Sequence, residues 1–412
     1  MRILVMTPWM GFWEVGARGG VPDEYLTFRA LVRRGHDLDL VVPGGAEYAL
    51  AGEGPGRVQV HHVPYPARRL RGRFLGQLGR LRDLALARRA FAGRAGTIAA
   101  RVRPDLILAH TFHTAPWAAG VGERLGIPVV SKFFGVLLLN TRWSPRALHY
   151  LRHFEHYLAF RRRFARVIVL DDGTGGDRAA LRLGVPPERL VFWPNGVNVE
   201  WADLPLPPGG GDPAARARLG LEPGAVYTLT LANLLPLKRV DRALAALARV
   251  PSPGVRALIG GDGVERARLE AAARVLGVGD RVRFLGPIDH ERVPELMSAA
   301  DIYVAPHDLT NAGLPTCEAM LCRLPVAAMD AGDTRRVVAD GETGLVVPHG
   351  DVEALAAAIH RLAADPALRR RLGERGHAVA RERFVSWERR VAMEVELLEA
   401  VGAGGARGVV AE

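Results

Sequence analysis

Along 412 residues, short apolar runs of strand length alternate with amphipathic stretches of helical spacing, and glycine turns mark the junctions. The alternation breaks once, at the Pro/Gly-dense stretch 204–213, and then restarts. This pattern admits few folds. A strand that reaches a parallel neighbour through a helix needs a crossover connection, and the helices then cover the sheet faces. The strand runs of the first half are 3–7, 38–42, 105–110, 128–135, 167–172 and 189–198; those of the second are 227–233, 257–263, 282–288 and 301–306. The expected fold class is α/β, two doubly wound parallel-sheet domains facing across a cleft, the natural place for a ligand. The expected boundaries are 1–203, a linker at 204–213, a second domain at 214–380 and a last helix within 381–412 that crosses back to the first domain.

Composition agrees with a two-domain globular chain: 49% hydrophobic, 24% charged, 28 prolines. No apolar run approaches the roughly 18 residues of a membrane span. The opening MRILVM reads as a first strand and not as a signal peptide. The two cysteines, Cys317 and Cys322, stand five apart on one expected helix, a spacing that suits neither a disulfide nor a zinc site. A reducing, cytoplasmic compartment follows. Charge is lopsided. Residues 1–200 hold 29 Lys and Arg against 16 Asp and Glu, an excess of +13, whereas the whole chain carries +11. Lysine occurs only at Lys132 and Lys238, so each is worth inspecting as a compact point charge.

The stretch 311–347 concentrates the chemistry. Gly313 and Pro315 stand at the start of a helical pattern, and proline suits a first helical position. The free amides and dipole of that helix end make an anion site. Glu318, about one turn in, is placed to accept hydrogen bonds from paired hydroxyls. Phosphate beside diol describes a nucleoside diphosphate. Lys238 closes the turn after the strand 227–233, where an ammonium suits a diphosphate. The run 260–263, Gly-Gly-Asp-Gly, turns tightly at the next strand's end and would let backbone approach a ligand. His110 and His113 follow a strand's carboxyl end and read as hydroxyl-contacting or core histidines. Asp37 and Asp39 read as structural. The first strand lacks a close G-x-G-x-x-G, which argues against a dinucleotide oxidoreductase. Residues 68–103 carry eleven arginines and one acid, Asp83. They read either as solvated faces of helices or as a surface for anionic lipid, which Arg161, Arg162 and Arg163 would extend. Their arginines alternate with leucines and not with stacking aromatics, so no nucleic-acid partner is expected.

These residues resemble retaining, nucleotide-sugar-dependent glycosyltransferases of family 4 (glycosyl transferases group 1). The carriers are GGVPDEYLTFRALVRRGHDLDLV, PDLILAH, WPNGVN, LLPLKRVDRAL, IGGDG, DRVRFLGPI, ADIYVAP, GLPTCEAMLCRLPVAA and DGETGLVVP, in order. The resemblance implies the GT-B fold of two Rossmann-like domains. It implies transfer of a sugar from a UDP- or GDP-linked donor to an acceptor hydroxyl with retention, in cell-surface polysaccharide or glycolipid synthesis, with no cofactor and no metal. It implies that Lys238 binds the donor diphosphate, that Glu318 holds the ribose hydroxyls, and that His110 is a catalytic-site histidine. Gly19, Gly20, Gly261, Gly263 and the backbone of Thr310, Asn311, Ala312, Gly313 and Leu314 would meet the donor sugar and phosphates. Leu285, Gly286 and Ile288 would read the base. Three positions depart from the family. Asn233 stands where an Arg is usual, Thr310 where a Glu is usual, and Phe134 where a His is usual. Arg239 is the expected replacement cation and Asn311 the expected sugar contact. The expected partners are the donor and a lipid-linked or anionic acceptor, with contact to the inner membrane face through 68–103. Two other readings stay open: a nucleotide-sugar-binding protein without catalysis, and a nucleotide-sugar epimerase.

Overall fold

The computed structural model describes residues 1–8, 22–44, 50, 52–64, 73–134, 136, 153–171, 174–308 and 313–404. The chain divides into two units. One comprises the described residues up to Asn195 together with those from Trp387 onward, and the other runs from Gly196 to Ser386.

In the first unit the strands are β1 (Arg2–Met6), β2 (Asp37–Pro43), β3 (Val58–Val63), β4 (Leu106–His110), β5 (Val129–Phe133), β6 (Arg166–Asp171) and β7 (Leu190–Pro194). They form one parallel sheet in the order β3-β2-β1-β4-β5-β6-β7. The second unit has β8 (Val226–Leu231), β9 (Val255–Gly260), β10 (Val282–Gly286), β11 (Ile302–Ala305), β12 (Val326–Met329) and β13 (Gly344–Val347). Their order is β10-β9-β8-β11-β12-β13, again parallel. Helices cover both faces of each sheet, and a separate apolar core lies on each face. Central strands are therefore buried on both sides, and Ile3, Leu4, Val5 and Met6 are all fully buried. A continuous apolar run, without alternation, is what that placement selects. The sequence reading names no strand at β3, β12 or β13. β3 is an edge strand with partly exposed residues, and the other two are only four residues long.

Two boundary expectations need correction. The stretch 204–213 is no free linker but a docked part of the second unit. Gly209, Gly210 and Gly211 all take positive φ, and the N–H groups of Gly209 and Gly211 donate to Arg323 and Ala300 carbonyls at 3.0 and 2.8 Å. A Cβ on Gly210 would stand 1.8 Å from the Ala300 oxygen, so close backbone approach and not flexibility explains these glycines. The division falls instead at Asn195–Gly196.

The last helix, Trp387–Gly402, belongs to the first unit. Val391, Val395, Leu398 and Val401 join the core around Ile3, Val5, Phe28 and Leu31. Its polar anchor is buried. Lys132 Nζ donates to both Glu394 oxygens at 2.8 and 2.6 Å. Arg390 pairs with the same carboxylate at 3.2 Å and lies over the Trp193 ring. One of the two lysines is thus structural. So is Asp39, which Arg2 and His61 both meet at 2.8 Å.

Candidate active site

In the second sheet β8 and β11 are neighbours, yet the chain after β8 moves one way across the sheet, to β9, and the chain after β11 the other way, to β12. At such a switch point the connecting loops diverge and leave a crevice beyond the carboxyl ends of the strands. Lys238 follows β8, and the helix carrying Glu318 follows β11.

Lys238 ends a single 3-10 turn, Pro236–Lys238, whose last N–H donates to the Leu235 carbonyl at 2.9 Å. Arg239 follows at φ 48° and ψ 39°, a left-handed conformation uncommon outside glycine, and the helix Val240–Arg249 begins there. The turn is laced to the loop after β11. His307 Nδ1 donates to the Lys238 carbonyl at 3.0 Å, and Asp308 N–H donates to the Leu237 carbonyl at 3.1 Å. That bond fixes the histidine tautomer. Burial, and then the Lys238 charge, lower the His307 pKa to about 4. Burial also holds the Lys238 ammonium below the ordinary lysine range.

The neighbouring cations are engaged. Arg239 meets Asp241 at 2.9 Å and Asp308 at 3.2 Å. Arg242 reaches Asp308 at 2.5 Å, and His349 approaches the same carboxylate at 3.4 Å. Arg239 is thus neutralised by two acids and does not stand as a free replacement for the cation missing at Asn233. Lys238 differs: among the described residues no carboxylate pairs with it. Asp308, the hub of this cluster, and Arg242 were not found by sequence reasoning. The available signal was an acid directly after a strand's carboxyl end.

The helix Leu314–Leu321 starts at Gly313, which takes φ 57°. Leu314 and not Pro315 is its first residue, so the proline sits one place inside the observed start. Gly313 is buried and its carbonyl accepts from Thr316 and Cys317 N–H groups at 2.8 and 3.1 Å. Thr310, Asn311 and Ala312 lie outside the described residues, as do Gly19 and Gly20. Glu318 is buried, and burial pushes its carboxyl up to about 7, partly offset by Asn198, whose Nδ2 donates to Oε1 at 3.3 Å. The same Asn198 nitrogen lies 2.8 Å from His290 Nε2. Neither Asn198 nor His290 was singled out from sequence; Asn198 read only as the end of the run 189–198. Burial raises both thiols, Cys317 to about 12, which leaves them protonated and inert.

In the glycine turn after β9, Gly261 and Gly263 take φ 121° and 155°, and a Cβ on them would stand 1.9 Å from Ala232 O and 2.5 Å from Leu234 O. These glycines admit the neighbouring loop's backbone. Gly261 N–H also donates to the Gly286 carbonyl at 2.7 Å, which ties down the loop holding Leu285, Gly286 and Ile288. Asn233 is exposed beside this turn.

His110 ends β4 at the first sheet's own switch point, between β1 and β4. It is fully buried, ion-paired through Nδ1 with Glu24, stacked on Phe28 at 5.5 Å and edge-on to Phe134 at 6.1 Å. No surface of the imidazole reaches solvent. The helix Arg73–Val102 buries Phe91, Ala95, Ile98 and Ala99 and exposes Arg88, Arg89, Arg94 and Arg101. A groove of about 630 Å³ lies where the chain enters β6 and β7, lined by Arg161, Arg162, Arg163 and Arg189 over Phe164 and Pro186. Among the described residues, no helix is long and apolar enough to cross a membrane.

Residues 212–379 match the family described as Glycosyl transferases group 1, and residues 25–201 match Glycosyltransferase Family 4. A D-inositol 3-phosphate glycosyltransferase of Streptomyces bingchenggensis is 34% identical over 232 residues, 54% of this chain and 50% of that protein. The chain thus spans about half the length of several curated relatives in these alignments. The protein of the same description from Actinosynnema mirum is 30% identical over 393 residues, 88% of this chain and 87% of its own. Among solved structures, sucrose-phosphate synthase from Thermosynechococcus elongatus superposes with a TM-score of 0.75 at 23% identity, covering 98% of this chain and 99% of that one. Anabaena HepE in complex with UDP-glucose does so with a TM-score of 0.70 at 22% identity, covering 97% and 100%. Two Rossmann-like parallel-sheet units of this kind are the GT-B architecture.

Proposed function

The chain belongs to family 4 of the glycosyltransferases, and from that premise we propose that it moves a sugar from a nucleoside diphosphate sugar to an acceptor hydroxyl. One observation carries the reading. Lys238 is a partly desolvated ammonium at a sheet switch point, and no carboxylate pairs with it among the described residues although Arg239 and Arg242 beside it are paired. A buried charge without a partner is costly, and an arriving diphosphate removes that cost. The helix Leu314–Leu321 points its open amide end to the same sheet edge, and Glu318 supplies a carboxylate for the ribose diol. The complex of HepE with UDP-glucose supports a donor of this class.

In this reading the bond between the anomeric carbon and the diphosphate oxygen breaks, and the acceptor oxygen bonds to the carbon on the same face. The acceptor proton passes to the leaving phosphate. Lys238 and the helix end stabilise the charge that develops there, an effect worth a few kcal/mol in comparable sites. No metal takes part. The acceptor is anionic or lipid-linked, which the charge excess of the first 200 residues supports.

The test is transfer from a panel of UDP- and GDP-sugars. Lys238→Ala should lower kcat/KM by about a hundredfold or more, with Lys238→Arg intermediate and EDTA without effect. Near-normal transfer by Lys238→Ala refutes the assignment. The product anomer decides retention, and an inverted product contradicts it.

A further inference from the structure

Asn198 opens a 3-10 turn, Val199–Asp203, at the position where asparagine commonly caps with its own side chain. Here the side chain makes no cap bond. Its amide nitrogen turns instead to Glu318 Oε1 at 3.3 Å and His290 Nε2 at 2.8 Å, while the His290 ring tilts against Trp201 at 4.9 Å. An amide nitrogen carries two hydrogens and no lone pair. Both neighbours must therefore accept. His290 Nε2 is unprotonated and its proton sits on Nδ1, so the ring is neutral in this arrangement.

We propose that Asn198 is the positioning residue of the donor nucleoside site, holding the Glu318 carboxylate for the ribose hydroxyls, with His290 as the second acceptor that fixes the amide's orientation. This rests on reading Glu318 as the ribose ligand. The three residues come from three separate loops and helices, and the amide bridges the other two. Protonating His290 sets two donors against each other. The amide then turns its oxygen towards the ring and also towards Glu318, which loses its hydrogen bond. Burial lowers the His290 pKa, against the opposing pull of Glu200 and Glu291, and so favours the neutral ring that this arrangement needs. Tyr303, Cys317 and Cys322 face Glu318, all neutral.

The test uses the full chain and calorimetric Kd values for UDP, GDP and their 2′,3′-dideoxy forms. At pH 8 the wild type should prefer ribose to dideoxyribose by about tenfold or more. Glu318→Gln should lose that preference. Asn198→Leu, and Asn198→Asp, which keeps the shape but cannot donate to Glu318, should lose most of it while binding the dideoxy nucleotide within about twofold of wild type. His290→Phe, which removes the second acceptor, should weaken the preference at pH 8, though less than either Asn198 variant. If Glu318→Gln keeps the preference, or neither nucleotide binds the wild type, the ribose reading fails and the proposal with it. If Glu318→Gln loses it and both Asn198 variants keep it, only the positioning role fails. Equal weakening towards ribose and dideoxyribose in the Asn198 variants overturns positioning in favour of general disruption. A preference as strong in His290→Phe as in wild type at pH 8 removes the histidine from the arrangement.

Discussion

Glu318 carries a cost in the unliganded fold. Burial pushes its carboxyl from 4.5 up to about 7, so between those values the folded protein holds a proton that the unfolded chain releases. The stability tied to that proton is complete below pH 4.5 and is lost as pH rises through 7. The Gln variant has no proton to lose. Glu318→Gln should therefore unfold at a higher temperature than wild type at pH 8, by up to about 3 kcal/mol, and at nearly the same temperature at pH 4.5. Thermal scans at the two pH values check this; an equal gap at both would show that the carboxyl titrates normally. Lys238 and Glu318 were legible as single letters because each follows a strand end at a telling distance. Asp308, Arg242, Asn198 and His290 were not, because their significance lies in partners far along the chain. His110 was legible by its place at a strand end, but its contacts with Glu24 and Phe28 were not.

Among the elements, turns and the last helix are the most constrained. Gly210→Ala should destabilise the second unit by well over 1 kcal/mol, since its Cβ would overlap the Ala300 carbonyl and its φ is positive. Urea unfolding measures this, and a change within 0.5 kcal/mol, the usual range for surface substitutions, would mean that the stretch 204–213 is not docked in solution. The helix Trp387–Gly402 buries one acid, Glu394. Glu394→Leu removes the carboxylate that Lys132 and Arg390 share in a fully buried setting, and breaking such a group typically costs about 3–5 kcal/mol. The expected result is a lower unfolding midpoint for the first unit, read by its Trp fluorescence, with nucleotide binding by the second unit retained. Strands and long helices were legible because burial on both faces writes itself as a continuous apolar run. The short strands β12 and β13 were not, since four apolar residues carry no period.

On the scale of the whole molecule the charge excess of the first 200 residues remains without a described partner. Exposed arginines on the helix Arg73–Val102 and the arginine-lined groove at the entry to β6 and β7 both lie in the first unit. If the acceptor is presented on an anionic surface, the protein should float with vesicles containing anionic lipid and not with neutral ones, and 0.5 M salt should release it. Equal recovery with both vesicle types would remove the membrane from the functional reading.

The sequence alone determined the two α/β halves, because a helix-linked parallel sheet demands its own spacing of apolar residues, and it determined where the strands end. It did not determine who meets whom at those ends. Asn198 and Glu318 stand 120 residues apart and Lys132 and Glu394 262 apart. Strand order across the sheets brings such loops together, and strand order is a property of packing that no local pattern of letters contains.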